Sequence, residues 1–519
     1  EENIRIFNGE VGKPESFDLL DSLLDEQFFR LSYWKVGNEE LNYRRFFTIN
    51  DLISLRIEDA KVFDSTHELI LKLVDEQKIN GLRIDHIDGL YDPVQYLHRL
   101  RDRAPYVYLV VEKILEHGEE LPVNWPCQGT SGYDFLGTVN SLFCQPAAEA
   151  EFARIYHAFI GDTTSCEALI DCNKRMIVDK HLAGDIDNLA HLLKRISERY
   201  RYASDFTLYG LQMALIEIMV LFPVYRTYIG RAGASRADQA CIRQVIAQAQ
   251  LNIPNFRNEL SFIERFLRLE FDGHMATEDK DQWLHFVMRL QQFTGPLMAK
   301  GVEDTVFYVY NRLLSLNEVG ASPLRFGIDL DEFHAFNQQR MSCWPHAMNA
   351  TATHDTKRGE DVRARLNVLS EMPDEWEQYV REWHEVNQAR KVPIGDRPAP
   401  ENDDEYLLYQ TLLGAYPFDL ADYPTFIERV KAYLIKATRE AKIHTNWLEP
   451  DNDYENALLT FAERVMEPGR DNPFMQSFLP FQRRIQHHGI LTSLGQTLLK
   501  LTVPGMPDLY QRTELWDLS

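Results

Sequence analysis

The chain has 519 residues, 45% apolar and 12% aromatic, which is enough to bury a large core and rules out global disorder. At about 150 residues per domain, this length suits three or four domains, or one large barrel with insertions. With 55 basic against 79 acidic residues the formal charge is −24, and the longest basic runs are pairs such as Arg44-Arg45 and Arg483-Arg484, so nucleic acid and anionic membranes are excluded as partners.

The longest apolar stretch, 215–224, is interrupted by Glu217 and is too short to span a bilayer. Six irregularly spaced cysteines read as reduced thiols. With no secretory signal in view, the expected location is cytoplasmic. The chain opens on Glu1-Glu2 and stops at Ser519 without a tail-like composition, and is expected to be a piece of a longer protein.

Residues 15–30 carry apolar positions three and four apart, which predicts an amphipathic helix. A second helix is predicted over 60–80, followed by the short apolar run 81–85, which ends on Asp85. The pattern repeats as a helix over 92–103 and the run 106–112, which ends on Glu112. Apolar runs that end in polar residues right after helices are the signature of parallel strands. Residues 140–290 read as helical, 300–355 as barrel-like, and 361–500 as helical again, with a polar surface loop at 391–405 and a last strand signal in 501–510. The expected fold is therefore an α/β (β/α)8 barrel with large helical insertions. Its segments would be 1–136, 137–290 (helical), 291–360, 361–490 (helical) and 491–519. A doubly wound sheet is the alternative, but neither GxGxxG nor GxxxxGK[ST] occurs.

Three acids stand at predicted strand ends. In 83–85, period two puts Arg83 and Asp85 on one face, where the guanidinium keeps Asp85 ionised, as suits a nucleophile. A structural ion pair accounts for the same spacing. Glu112 follows Leu109-Val110-Val111, so partial desolvation would raise its pKa, as a general acid requires; a carboxylate that merely ends a strand fits equally. His354-Asp355 forms the third cluster, and alone reads as a core histidine beside an acid paired with Lys357 or Arg358. Together, three acids at three strand ends suit retaining glycoside chemistry, which needs a nucleophile and an acid about 5 Å apart. That chemistry requires no metal or organic cofactor. His86 and Asp88 hint at a metal, but HExxH, His-x-His and zinc cysteine spacing are all missing. Ser131 lacks the GxSxG elbow. Residues 129–134 read as a loop beside the site, with Tyr133 as a sugar-stacking platform; a plain turn is the other reading.

These segments, in this order, resemble the α-amylase superfamily, glycoside hydrolase family 13. Within it, residues 43–47 (YRRFF), 82–90 (LRIDHIDGL), 111–115 (VEKIL), 129–135 (GTSGYDF), 222–228 (FPVYRTY), 300–305 (KGVEDT), 353–358 (THDTKR) and 507–511 (PDLYQ) are similar to the maltooligosyl trehalose synthase family. The resemblance implies Asp85 as nucleophile, Glu112 as acid/base and Asp355 as transition-state stabiliser, with Arg83 and His354 in support. It further suggests His86, Tyr133, Glu303, Asp304, Lys357 and Arg358 as sugar-binding groups. The implied reaction is intramolecular transglycosylation, turning the reducing end of a malto-oligosaccharide into an α,α-1,1-linked trehalose end. A trehalose-releasing hydrolase would be the functional partner. The alternatives are an α-1,4-glucan hydrolase, a 4-α-glucanotransferase, or an inactive truncated fragment. The resemblance places only barrel strands 4–8 in this chain: 4 and 5 in 1–136, 6 and 7 in 291–360, and the last in 491–519. Such an open barrel is expected to turn over weakly or not at all. Two departures from the family pattern are Val309, where a basic residue is expected, and Arg512, in place of a glycine.

Overall fold

The computed structural model describes residues 2–519 other than 39, 272, 273, 396, 470, 512 and 514. Arg512, one of the two departures, therefore lies outside the described residues.

Five short parallel strands form the frame of the fold. Gly81–Ile84, Tyr108–Val111 and Gly129–Thr130 pair side by side, and Met348–Asn349 pairs with Met506–Pro507. The two ladders abut. The Tyr108 hydroxyl donates to the His346 carbonyl at 2.7 Å, and Gly129 lies so close to Ala347 that a Cβ there would sit 2.4 Å from the alanine methyl. Burial follows position in this arc: Leu109, Val110, Val111 and Thr130 in the middle are at most 2% exposed, whereas Met506 at one edge is 48% exposed.

The predicted strands at 81–85 and 106–112 form as expected, though each ends just before its carboxylate. The strand expected early in 291–360 does not. Among the described residues that stretch carries one strand, Met348–Asn349. Val302, Val306 and Val309 recur four and three apart, a helical spacing, and Ala299–Val306 forms a π-helix. The ladder takes its third strand from Gly129–Thr130 instead, a segment read as loop. Positive φ at Gly129 (137°) and Gly132 (100°) lets this segment press against the backbone around residues 347–350.

Helices fill most of the remainder. The predicted helix at 15–30 is a 3-10 turn followed by Asp18–Asp25, and that at 60–80 is Ala60–Asp75, capped by the Asp59 side chain. Part of the 391–405 loop is a hairpin, Val392–Ile394 against Arg397–Ala399, and helix Asn402–Ala415 starts within the rest. Each helical block has its own apolar centre. Trp283, Phe266, Leu215 and Ile263 belong to a cluster drawn wholly from residues 177–297. Trp376, Trp383, Tyr406 and Phe478 belong to a second cluster that also takes in Tyr133 and Phe307. A third, around Phe63, Leu97 and Leu109, lies against the strands. Val309 packs, partly buried, against the second cluster. All six cysteines are free. Among the described residues no helix is long and apolar enough to cross a membrane.

Helix Tyr133–Leu142 docks tightly on the loop at 320: a Cβ at Gly137 would meet the Gly320 carbonyl oxygen at 1.8 Å. Gly137→Ala is expected to destabilise the protein by about 1–3 kcal/mol, read as a lower urea midpoint at unchanged m-value.

Candidate active site

Parallel pairing in register builds the centre of the site. Ile84 lies opposite Val111, and the Ile84 carbonyl accepts the Glu112 amide at 2.7 Å. Asp85 and Glu112 thus leave neighbouring strand ends at the same pleat phase, on backbones about 4.8 Å apart. Arg83 forms an ion pair with Asp85, both side chains partly exposed. Glu112 is treated differently. Burial, then the neighbouring Asp85 charge, pushes its carboxyl up to about 8, against the opposing pull of the His86 amide. That amide donates to Glu112 Oε2 at 2.6 Å, which His86 achieves in a left-handed conformation (φ 51°). Of two carboxyls on adjacent strand ends, one is thus held in an ion pair and the other is raised by burial, a contrast suited to a nucleophile beside an acid.

Asp355 joins them from the loop after Met348–Asn349. His354 Nε2 lies 3.1 Å from its Oδ2, and the Tyr133 hydroxyl lies 3.4 Å from the same oxygen and 3.0 Å from Thr353 Oγ1. Tyr133 also feels the charges of Glu112 and Arg83, which brings Asp355, Glu112 and the ion-pair partner of Asp85 around one hydroxyl. With only 1% of its surface exposed, Tyr133 offers no face for a sugar. The stacking platform is not there, because the ring starts a buried helix and only its hydroxyl reaches the site.

The π-helix Ala299–Val306 supplies a second wall. Tyr225 donates to Glu303, whose buried carboxyl is pushed up to about 7. Asp304 is bracketed by Lys300 at 2.6 Å and Lys357 at 3.0 Å; burial opposes ionisation, but Lys357 and Lys300 hold it down to about 2. Asp355 has no pairing with Lys357, which is committed to Asp304. Arg358 is 6% exposed and donates to the carbonyls of Leu314 and Asn317 and to the Tyr433 hydroxyl at 2.6 Å, so it supports the loop instead of reaching a sugar. Behind Glu112, the buried Lys113 pairs with Glu119 at 2.9 Å and Asp88 at 3.4 Å. No group of three or more His, Cys, Asp or Glu able to hold a metal occurs among the described residues.

Sequence reading overlooked several of these groups. Glu318, fully buried, accepts the amides of Lys357 at 2.7 Å and Arg358 at 3.1 Å and pairs with Arg363 at 3.1 Å, fixing the loop that carries Asp355. Nothing in its local sequence marks it. Lys442 donates to the Asp304 carbonyl and Thr305 Oγ1, both at 2.9 Å. Phe46 and Phe47 contact the His86 ring, with centroids 5.0 and 4.8 Å away, and Lys300 lies 5.1 Å over Phe47. The Tyr43–Phe47 motif did signal this corner.

No family model matches the chain. A Mycobacterium tuberculosis H37Rv protein named as a maltooligosyl trehalose synthase is 33% identical over 497 residues, covering 95% of this chain and 59% of that protein. The structure of maltooligosyltrehalose synthase from Arthrobacter ramosus superposes with a TM-score of 0.82 at 33% identity, covering 98% of this chain and 60% of that one. The DSM5389 glycosyltrehalose synthase gives 0.78 at 37% identity over 99% and 60%. The chain thus spans about three-fifths of the length of the relatives it matches, and over that portion it is their homologue in sequence and in fold.

Two outcomes follow from the site. A carboxyl raised by burial favours the protonated fold, a contribution that is complete below about 4.5 and is lost as pH rises through about 8. Glu112→Gln, which cannot ionise, is therefore expected to gain in Tm relative to the parent between pH 5 and pH 8; a difference that stays flat would contradict the raised pKa. Glu318→Ala leaves Arg363 buried without its partner and is expected to cost about 3–5 kcal/mol in urea denaturation.

Proposed function

We propose, from this homology and from the geometry of its three carboxylates, that the chain carries the catalytic centre of a maltooligosyl trehalose synthase, an intramolecular α-glucan glucosylmutase. The single observation that carries the reading is the Asp85–Glu112 pair: in-register strand ends, one carboxyl held by Arg83, the other raised to about 8. Asp85 attacks the anomeric carbon of the glucosyl unit next to the reducing end. Glu112 gives its proton to the departing glycosidic oxygen, and a glycosyl-enzyme and a free glucose result. The glucose turns within the site and presents its anomeric hydroxyl. Glu112, now a carboxylate, takes that proton as the oxygen displaces Asp85, leaving an α,α-1,1 linkage with net retention. Asp355, held by His354 and Tyr133, stabilises the oxocarbenium-like transition state.

Transfer within the molecule requires that glucose stay while water is kept out. The Lys300–Asp304–Lys357 network is the wall suited to hold it, offering matched donors and acceptors. The parallel arc would form part of a (β/α)8 barrel, and a neutral glucan substrate and a cytoplasmic setting agree with the net charge of −24. A hydrolase that cuts beside the trehalose end would then consume the product. One observation favours a second reading, plain hydrolysis: the side chains of Asp85 and Asp355 are 52% and 51% exposed, which admits water to a glycosyl-enzyme.

Incubation of the native protein with maltopentaose separates the two. The mutase is expected to remove reducing power without shortening the chain; glucose and shorter maltodextrins as main products would establish the hydrolase. Asp85→Asn is expected to lower turnover by about 10³-fold or more with unchanged far-UV circular dichroism.

A further inference from the structure

A cavity of about 590 Å³ lies beside the acid/base strand, between the loop 114–121 and the helices Tyr133–Leu142, Cys166–His181 and Leu330–Cys343. Neither Asp85, Glu112 nor Asp355 lines it. Its volume falls in the range of small-molecule sites, and its walls are mainly apolar, with the rings of Tyr225, Phe307 and Trp344 among them. Several charges on the wall are already matched: Arg340 with Asp134 at 2.5 Å, Arg325 with Glu332, and Glu119 with Lys113 at 2.9 Å. Two buried or half-buried ones are not. Lys174, 3% exposed, donates to the carbonyls of Val220 at 3.3 Å and Phe222 at 2.9 Å and has no ion pair among the described residues. Glu116 uses its amide to reach Glu119 at 3.1 Å, while its carboxyl oxygens have neither hydrogen-bond nor ion-pair partner among the described residues.

These two groups select a chemistry. An anionic ligand would meet Glu116 and a cationic one would meet Lys174, so an uncharged molecule that both donates and accepts is favoured. The apolar and aromatic walls add a preference for a molecule with C–H faces as well as hydroxyls. We propose that this cavity is a second carbohydrate site, taking one free pyranose such as glucose, whose hydroxyls bridge the Glu116 carboxyl and the Lys174 ammonium. The site stands apart from the catalytic reading, yet it touches the same machinery. Tyr225 lines the cavity and donates to Glu303, and Gly301 of the π-helix backs directly onto Lys174.

The test is a titration of the native protein with D-glucose, followed by intrinsic fluorescence, with Trp344→Phe identifying the signal from the cavity wall. The variants are Glu116→Gln, which removes the charge, and Ala321→Phe, which fills the space beside it; neither residue belongs to the catalytic centre. Saturable binding that weakens about fivefold in Glu116→Gln and disappears in Ala321→Phe is the expected result. Glucose turnover plays no part in the readout, so a failed mutase assay leaves the result intact. No saturable response, or one that both variants leave unchanged, overturns the proposal: the cavity then holds water only, or the glucose sits in the catalytic cleft. Should Ala321→Phe fail to fold by circular dichroism, Glu116→Gln alone decides.

Discussion

The hydrogen bond from the Glu112 amide to the Ile84 carbonyl, 2.7 Å long, sets the register of two parallel strands and with it the meeting of two carboxyls. A slip of one residue would turn one of them to the opposite face of the sheet. Held side by side, the two acids have unlike surroundings: Arg83 pairs with Asp85, while burial and the Asp85 charge raise the Glu112 carboxyl. His86 then has to turn sharply so that its amide can point back at Glu112, and its left-handed backbone is the local cost of that contact.

The third acid depends on a different anchor. Asp355 sits on a loop with little regular structure of its own, and the loop is fixed from beneath by one buried carboxylate, Glu318, that accepts two consecutive amides. A fully buried arginine, Arg363, balances that carboxylate. The geometry of the candidate site is thus borrowed from the interior: its exposed residues are placed by pairs that solvent never reaches.

The strands ending at Asp85 and Glu112 were legible because a short apolar run that follows a helix and closes on a polar residue fits little besides a buried parallel strand. The Asp355 cluster was legible only in company with the other two. The third strand was hidden, since Gly129–Thr130 is two residues long and consists of a glycine and a polar residue; its position is set by contact with Ala347 and Ala350, which no local pattern encodes. The π-helix was hidden for the opposite reason. The valines in it and just after it look like strand, and only their spacing, four then three, gives the helix away. Glu318, Lys442 and the burial of Tyr133 are products of long-range packing, and sequence carried no mark of them. Tyr133 shows how a correct segment can be given the wrong part: the residue does reach the site, but with its hydroxyl and not its ring.

The separate apolar cluster drawn from residues 177–297 has a consequence for how the molecule comes apart. A block with its own core can open as a unit below the global transition. Its last helix, Thr277–Met298, runs straight into the π-helix that bears Glu303 and Asp304, whereas Asp85 and Glu112 belong to a ladder packed on the cluster around Leu109. Opening of that block would dissolve the wall that carries Glu303 and Asp304 and leave the pair of acids standing. Under the proposed function, the grip on a sugar and the capacity to break its bond would then have different lifetimes in the same native chain.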